Sequence, residues 1–368
     1  MRKPLSLAAA TALVAATVVS IAPAASAGTG PVTVTAKQRA VASAPRITSV
    51  PADSTPTGGW SGAPTGGVFG ASSVWKTDVS SAPVAANSPA LVANLAGQVQ
   101  KYYGAAAFNV NSFGTSIYTV DASQPRIDVA WDNCQRKNYT PSGLLGEGGQ
   151  FTQVPIPDDA VPAAGTDNHL AIYSPSSDQL WEFWKAKKVD GKWQACWGGR
   201  IDGVSTSRGH FDGHWGASAT GLAVSGGAVL VKDAQAGVID HALSLQLVNA
   251  ALYTDFSWPA QRSDGQDKSP DAIPEGTRFR LDPSVDVDSL KLTPIAKMVA
   301  RAAQKYGFII TDKGGAVAIT AESPNAAKTS TGVNPWKSLM KGKPSYSIFA
   351  NFPWDKMQAL PADYGKNL

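Results

Sequence analysis

The chain of 368 residues is 43% hydrophobic and only 16% charged, which supplies enough apolar material for one large folded domain or two smaller ones. Lys and Arg number 32 against 28 Asp and Glu, so the formal net charge is +4, and it falls closer to neutral once Arg2 and Lys3 are set aside. Because no basic stripe or block of like charge follows, the composition argues against nucleic acid and anionic membranes as partners.

The N-terminus has the three parts of a secretory signal peptide. Arg2 and Lys3 precede an apolar stretch from Leu5 to Ile21, and small residues follow at Ala25-Ser26-Ala27. This order is typical of an export signal with an A-x-A cleavage site. The sequence therefore predicts a signal peptide over residues 1–27, a secreted, extracellular protein, and no membrane span in the mature chain.

The rest of the chain is predicted to consist of a leader and one domain. Residues 28–67 are mostly Gly, Pro, Ser, Thr, Ala and Val without helical or strand periodicity. Such a segment cannot bury enough apolar surface to offset the entropy of ordering, so we expect a flexible leader. Residues 68–368 are then predicted to form a single β-sandwich domain.

Strand-like runs dominate that domain, and turn residues separate them. Outside the hairpin described below, they cover residues 116–120, 126–130, 168–173, 228–231, 238–248, 277–281, 308–311 and 316–321. Many short strands of this kind predict a mainly all-β fold that resembles a sandwich or jelly roll. Two peripheral helices are also predicted, over residues 88–102 and from Pro294, where Thr293 is the N-cap and Gly307 ends the helix.

The most informative segment is a predicted pair of tandem β-hairpins over residues 167–201. Asp190-Gly191 lies between two strand-like runs and is a strong signal for a two-residue hairpin turn. This turn sets the register, in which Trp184 lies opposite Trp197 and Glu182 opposite Gly199. Since side chains alternate along a strand, Trp193 is predicted to share the face of Glu182.

The preceding strand-like run extends this face. Any loop of even length between it and the hairpin places Ala171 opposite Glu182, and then His169 and Tyr173 lie on the Glu182 face. The small side chains flanking Glu182 leave room for a ligand above the carboxylate. The sequence therefore predicts a carboxylate in an open, indole-lined hollow.

This hollow suggests a protein that acts on or binds extracellular carbohydrate. A carboxyl group among indole rings has the raised pKa of a glycosidase acid, so Glu182 is the predicted acid/base of a glycoside hydrolase or polysaccharide lyase. The assisting candidates are His169 as base, Asp167 as second carboxylate, Tyr173 as proton donor, and His241. The predicted substrate-binding residues are Trp184, Trp193, Trp197 and Arg200.

Structural alternatives remain open for each of these residues. Glu182 can pair with His169 or Arg200 at a strand edge, and the tryptophans can pack in the core. His241 falls on the apolar face of its run, where a histidine is more often a satisfied core residue. Two alternatives to an enzyme follow. One is a non-catalytic glycan-binding or envelope-binding sandwich that uses the same aromatic surface, and the other is a structural exported protein in which those rings belong to the core.

No cofactor and no metal site are predicted. His210 and His214 have the spacing of a zinc pair, but the glycines around them indicate a loop rather than a helix. Asp264, Asp267 and Asp271 offer oxygen ligands but lack the spacing of an EF-hand. Nucleophile elbows, P-loops and dinucleotide-binding fingerprints are not found in the sequence.

The two cysteines, Cys134 and Cys196, are predicted to form a disulfide, because an unpaired thiol is a liability in an exported chain. A bridge that closes a loop of this size contributes on the order of 4 kcal/mol to stability. The alternative is a pair of unlinked buried thiols.

The chain resembles a family of exported actinobacterial proteins of the Streptomyces type. The resemblance covers most of the mature domain and includes Leu180-Trp-Glu-Phe-Trp and Gly237-Val-Ile-Asp-His-Ala-Leu. The other segments that carry it are residues 69–75, 166–173, 219–222, 257–260, 276–282 and 304–307. The resemblance implies a secreted β-rich domain and does not imply any particular reaction.

Overall fold

The computed structural model describes residues 59–367. The predicted signal peptide over residues 1–27 and most of the predicted leader lie outside the described residues. The last part of that leader belongs to the folded domain, because Trp60 is buried and its ring packs against Tyr118 at 4.8 Å between centroids. No helix in the described part of the chain is long and apolar enough to cross a membrane.

The elements of residues 59–367 are short strands with a few helices. The strands are β1 (Trp60–Ser61), β2 (Ala107–Asn109), β3 (Ser116–Val120), β4 (Ala130–Trp131), β5 (Leu170–Ser174), β6 (Gln179–Trp184), β7 (Lys187–Val189), β8 (Lys192–Ala195), β9 (Trp197–Asp202), β10 (Leu243–Leu247), β11 (Arg278–Leu281), β12 (Phe308–Lys313), β13 (Ala318–Thr320) and β14 (Met357–Ala359). The helices are α1 (Ser88–Lys101), α2 (Val231–Ala236), α3 (Pro294–Lys305), α4 (Asn325–Thr331) and α5 (Trp336–Leu339), and two 3₁₀ turns cover Ser345–Ser347 and Trp354–Lys356.

The strands form three sheets. The five-stranded sheet has the order β1-β3-β5-β6-β9, the six-stranded sheet β14-β11-β12-β10-β13-β2, and the three-stranded sheet β4-β8-β7. Each sheet contains at least one parallel pair: β3 with β5 in the five-stranded sheet, β4 with β8 in the three-stranded sheet, and two pairs, β10 with β12 and β13 with β2, in the six-stranded sheet. The strand-rich character is therefore confirmed, whereas mixed sheets depart from the antiparallel pattern of a jelly roll.

Both predicted helices are confirmed, and they pack on one face of the six-stranded sheet. The Thr293 hydroxyl accepts a hydrogen bond from the Ala296 amide at 3.1 Å, which caps the N-terminus of α3 as expected. The apolar residues of α1 and α3 share a core with Leu245 of β10 and Phe308 and Ile310 of β12. α1 and α3 thus cover the face of the six-stranded sheet that lies away from the five-stranded sheet.

The five-stranded sheet is buried on both faces. On one side Ile117 and Leu180 share a core with Ile309 of the six-stranded sheet. On the other side Trp181 and Phe183 pack with Trp193 of the three-stranded sheet. Because both faces are covered, the face on which a side chain of β5, β6 or β9 lies determines which of these two cores it contacts.

The predicted hairpin register is confirmed. Glu182 pairs with Ala171 on one side and Gly199 on the other, Trp184 pairs with Trp197, and the connection from β5 to β6 is an even loop. The strand bends at Lys185, whose φ is +54°, and the hairpin continues as β7 and β8 in a separate sheet. Beyond this bend the predicted alternation is wrong, because Trp193 packs with the cluster on the face opposite Glu182.

Candidate functional site

Glu182 lies in the protein interior and does not face an open hollow. Its side chain is fully buried, and all its hydrogen bonds go to one loop. Oε2 accepts from the Val224 amide at 2.8 Å, and Oε1 accepts from the Ser225 amide at 2.9 Å and the Ser225 hydroxyl at 2.6 Å. Burial raises the pKa of Glu182 to about 7, although these three donors oppose the rise.

The space predicted above Glu182 is filled by protein. A Cβ atom built on Gly199 would lie 2.8 Å from the Gly216 nitrogen and 2.8 Å from a ring carbon of Phe211. Ala171, on the other flank, is fully buried in the core. The small size of Ala171 and Gly199 therefore makes room for residues 211–225 of this chain and not for a ligand. The prediction of a ligand-accessible carboxylate is wrong.

Arg200 and Tyr173 also lie apart from any open site. The Arg200 guanidinium donates to the carbonyls of Gly148 and Gly149 at 3.3 Å and pairs with Asp202 at 3.1 Å. It therefore holds a loop, does not pair with Glu182, and does not line the large cavity described below. Tyr173 packs against the core between the sheets, and burial raises the pKa of its hydroxyl.

His241 is a satisfied core residue. It is 1% exposed, its Nε2 lies 3.1 Å from Oδ2 of Asp233, and its Nδ1 lies 2.8 Å from the Ala242 carbonyl oxygen. Both ring nitrogens have partners within the core, so the structural alternative explains this histidine.

A large open cavity lies at the end of the hairpin, beside the position predicted for the site. Its volume is about 1060 Å³, and four of the predicted site residues line it, namely Asp167, His169, Trp184 and Trp197. Neither Glu182 nor Trp193 is among its lining residues. The other polar and aromatic side chains that line it include Tyr103, Phe113, Lys137, Tyr139, His214, Gln246, Arg262, Ser263, Asp264, Asp312 and Lys313.

Two indole rings on paired strands form one wall of this cavity. Trp184 donates from Nε1 to Oδ1 of Asp167 at 3.0 Å, and Trp197 donates from Nε1 to the His214 carbonyl oxygen at 3.0 Å. The Trp197 ring also stacks on Trp215, with centroids 5.2 Å apart and planes 18° from parallel. Both rings are half-buried, so they are held in place while part of each ring stays accessible.

The disulfide fixes the adjacent wall, and its prediction is confirmed. Cys134 and Cys196 are bonded, with their Cα atoms 5.4 Å apart. Cys196 directly precedes Trp197, and Cys134 precedes a loop that contributes Lys137 and Tyr139 to the cavity. The Lys137 ammonium lies 5.2 Å from the centroid of the Trp197 ring, which joins the two walls.

Two histidines contribute to the cavity in a mostly uncharged form. Burial lowers the pKa of His169, although the nearby Asp167 opposes the shift. Burial lowers the pKa of His214 as well, with smaller contributions from Arg262 and Lys137. Both imidazoles are therefore expected to be neutral above pH 7, when each can donate and accept one hydrogen bond.

The polar floor of the cavity was not predicted from the sequence. Arg262 donates to the carbonyls of Trp215 and Ser218, each at 2.7 Å, and so supports the loop above. Asp312 accepts from the Ala219 amide at 3.0 Å, and burial raises its pKa to about 7. The sequence feature that could have indicated this floor is the position of Asp312, a carboxylate directly after the apolar run 308–311.

Three carboxylates converge at this floor. One oxygen of each of Asp264, Glu275 and Asp312 lies within 4.8 Å of the others, an arrangement with the chemistry of a cation site. Asp267 and Asp271, considered with Asp264 from the sequence, do not belong to this group. His210 and His214 do not join it either, and His214 packs its ring against Trp215 at 4.3 Å.

No protein-family model, curated protein or solved structure matches this chain. The resemblance to exported actinobacterial proteins therefore stays a prediction.

The buried carboxyl groups give a testable dependence of stability on pH. Burial raises the pKa of Glu182, Asp312 and Glu322 to about 7, and burial with the neighbouring Asp312 raises that of Glu275 to about 8. Through these four groups the folded state binds more protons than the unfolded state between about pH 4 and 8, so their contribution to stability falls as pH rises through this range. The lowered pKa of His169, His210 and His214 acts in the opposite direction below about pH 6.5 and offsets part of this fall. We expect the urea midpoint of chelator-treated protein to be higher at pH 5 than at pH 8.5. The Glu322→Gln variant should show a smaller difference, and a midpoint that increases with pH would contradict the expectation.

Proposed function

We propose that the cavity binds a saccharide unit of an extracellular glycan. The observation that carries this proposal is the fixed pair of half-exposed indole rings, Trp184 and Trp197, beside a polar floor. The apolar faces of sugar rings pack on indole, and their hydroxyl groups can donate to carboxylates and accept from guanidinium or imidazole. A site with one aromatic wall and one polar floor suits this amphipathic ligand.

The size of the cavity favours an oligosaccharide. Small-molecule sites typically occupy about 300–1,000 Å³, and the present cavity of about 1060 Å³ is slightly larger than this range. Further aromatic side chains lie at its rim, where Tyr103 and Tyr139 are largely exposed. These rings extend the surface on which successive sugar units can stack.

The charges of the lining argue against a polyanionic ligand. Three acidic and three basic side chains line the cavity, namely Asp167, Asp264, Asp312, Lys137, Arg262 and Lys313. Binding of nucleic acid depends on an excess of positive charge that releases counterions, and a balanced lining does not provide it. A neutral or zwitterionic glycan fits this lining better.

Removal of either indole ring should weaken glycan binding without unfolding the protein. A central tryptophan at a binding site typically contributes about 2 kcal/mol, so we expect Trp184→Ala and Trp197→Ala each to lower affinity roughly 30-fold. The measurement is retention on a panel of immobilised polysaccharides, followed by titration calorimetry with the oligosaccharide that binds.

The matched control is Tyr253→Ala, which removes an exposed aromatic ring that does not line the cavity. This variant should bind as the wild type does. If all three variants retain wild-type affinity for a glycan that the protein binds, the cavity is not the binding site. If the protein binds no glycan in the panel, the proposal fails.

A second candidate function is hydrolysis of that glycan, with Asp312 as the proton donor. The observation in its favour is that burial raises the pKa of Asp312 to about 7, with Asp264 and Asp167 adding to the rise. A protonated carboxyl group near an ionised one is the arrangement of a glycosidase pair. Under this alternative, Asp312→Asn should abolish the release of reducing ends and preserve glycan retention.

A further inference from the structure

The three carboxylates at the cavity floor come from separate parts of the fold. Asp312 lies near the end of β12, Glu275 precedes β11, and Asp264 lies in the connection that precedes Glu275. Asp264 is exposed and Asp312 half-buried, and both line the cavity, whereas Glu275 is fully buried. The group is therefore reached from the cavity on one side and enclosed by protein on the other.

Glu275 supplies an independent sign that this group takes a ligand. Its Oε2 accepts from the Asp264 amide at 3.2 Å, and the Ser263 hydroxyl lies near the carboxyl group, but Oε1 makes no hydrogen bond among residues 59–367. A buried carboxyl oxygen without a hydrogen-bond donor is unfavourable, because it has lost contact with water and gained no partner in exchange. A cation held among the three carboxylates would supply the missing partner of the Glu275 carboxyl group.

The neighbouring cationic side chains do not complete the group. Arg262 is close enough to interact with Glu275 and Asp312 electrostatically, but its guanidinium donates to the carbonyls of Trp215, Gly216 and Ser218. Lys313 approaches only Asp264, at 3.8 Å. Neither side chain donates a hydrogen bond to Oε1 of Glu275, so the buried end of the group has no direct counterion.

We propose that Asp264, Glu275 and Asp312 bind a divalent cation, and that this cation is Ca²⁺. A set made only of carboxylate oxygens favours hard cations, whereas Zn²⁺ in proteins is bound mainly by nitrogen and sulfur. Ca²⁺ accepts six to eight oxygen ligands in flexible geometry, so three carboxylates leave positions open toward the cavity. Water or ligand hydroxyl groups would occupy those positions.

This site does not depend on glycan binding, and the two can be measured separately. A cation at this site would exclude hydrolysis with Asp312 as the proton donor, because a carboxylate that ligates a cation stays ionised and cannot donate a proton. Cation binding therefore favours a binding protein over a hydrolase that uses Asp312.

The test begins with protein stripped by a chelator and exchanged into metal-free buffer. We expect the melting temperature to rise and then saturate with added CaCl₂, and calorimetry to give one site per chain. Glu275→Gln and Asp264→Asn should each weaken Ca²⁺ binding by more than about tenfold. Asp264 is exposed, so its variant keeps the test valid if Glu275→Gln fails to fold.

The matched control is Asp271→Asn, an exposed aspartate outside the group, and it should bind Ca²⁺ as the wild type does. Two results would overturn the proposal: no calorimetric heat or thermal shift in millimolar CaCl₂, or an equal response from the wild type and both variants of the group. A response to ZnCl₂ alone would also overturn it.

Discussion

Replacement of Glu182 by alanine is expected to lower the free energy of unfolding by about 3–5 kcal/mol. The change leaves two amides and one hydroxyl of Val224 and Ser225 without an acceptor, and each buried unsatisfied donor costs about 1–3 kcal/mol. It also leaves a void between the sheet and the loop. Urea denaturation followed by tryptophan fluorescence measures the effect.

The control for this prediction is Glu147→Ala, which removes an exposed glutamate and should change stability by less than about 0.5 kcal/mol. Glycan retention by Glu182→Ala should decline only in proportion to the unfolded fraction. A variant that keeps wild-type stability and loses glycan retention would contradict this structural role of Glu182.

Loss of the disulfide is the second large effect that we expect. Cys134 and Cys196 are 62 positions apart, and a bridge across a loop of this length stabilises the folded state by about 4 kcal/mol. The double variant Cys134→Ala/Cys196→Ala should therefore unfold at a clearly lower urea concentration. Because the bridge joins the Trp197 strand to the loop of Lys137 and Tyr139, the folded fraction should also bind glycan more weakly.

A reducing agent provides the internal control for this prediction. It should lower the urea midpoint of the wild-type protein to that of the double variant and leave the variant unchanged. If the double variant in its folded form binds glycan as tightly as the wild type, the bridge stabilises the fold without shaping the cavity.

Strand register was predictable because local features determine it. Asp190-Gly191 specifies the hairpin turn, and the even loop between β5 and β6 keeps the parity that places Ala171 opposite Glu182. Parity, however, states only which side chains share a face. It does not state whether that face meets solvent or another part of the chain.

The covering of the Glu182 face could not be foreseen because it comes from an irregular segment. Residues 211–225 are rich in small residues and contain no strand or helix, so no periodicity marks them as part of the core. The bend at Lys185 could not be predicted from the sequence either, because no turn residue marks the positive φ of this lysine. It is this bend that directs Trp193 to the opposite face.

The cavity floor depends on contacts between residues far apart in the chain. Asp264, Glu275 and Asp312 converge only because β11 and β12 are neighbours in one sheet. From the sequence, Asp264 could be grouped only with the nearby Asp267 and Asp271, since spacing along the chain was the only guide. The hairpin residues that line the cavity could therefore be predicted from the sequence, whereas the residues of its floor required the tertiary structure.

The connectivity of the six-stranded sheet has a consequence for the order of folding. Ala107 of β2 pairs with Ala318 of β13, so this edge of the sheet joins two parts of the described chain that are very far apart in sequence. The β5–β6 pair, in contrast, is joined by a short loop. Because pairings between distant strands form more slowly than local ones, we expect the β5–β6 hairpin to form before the β2–β13 edge during refolding.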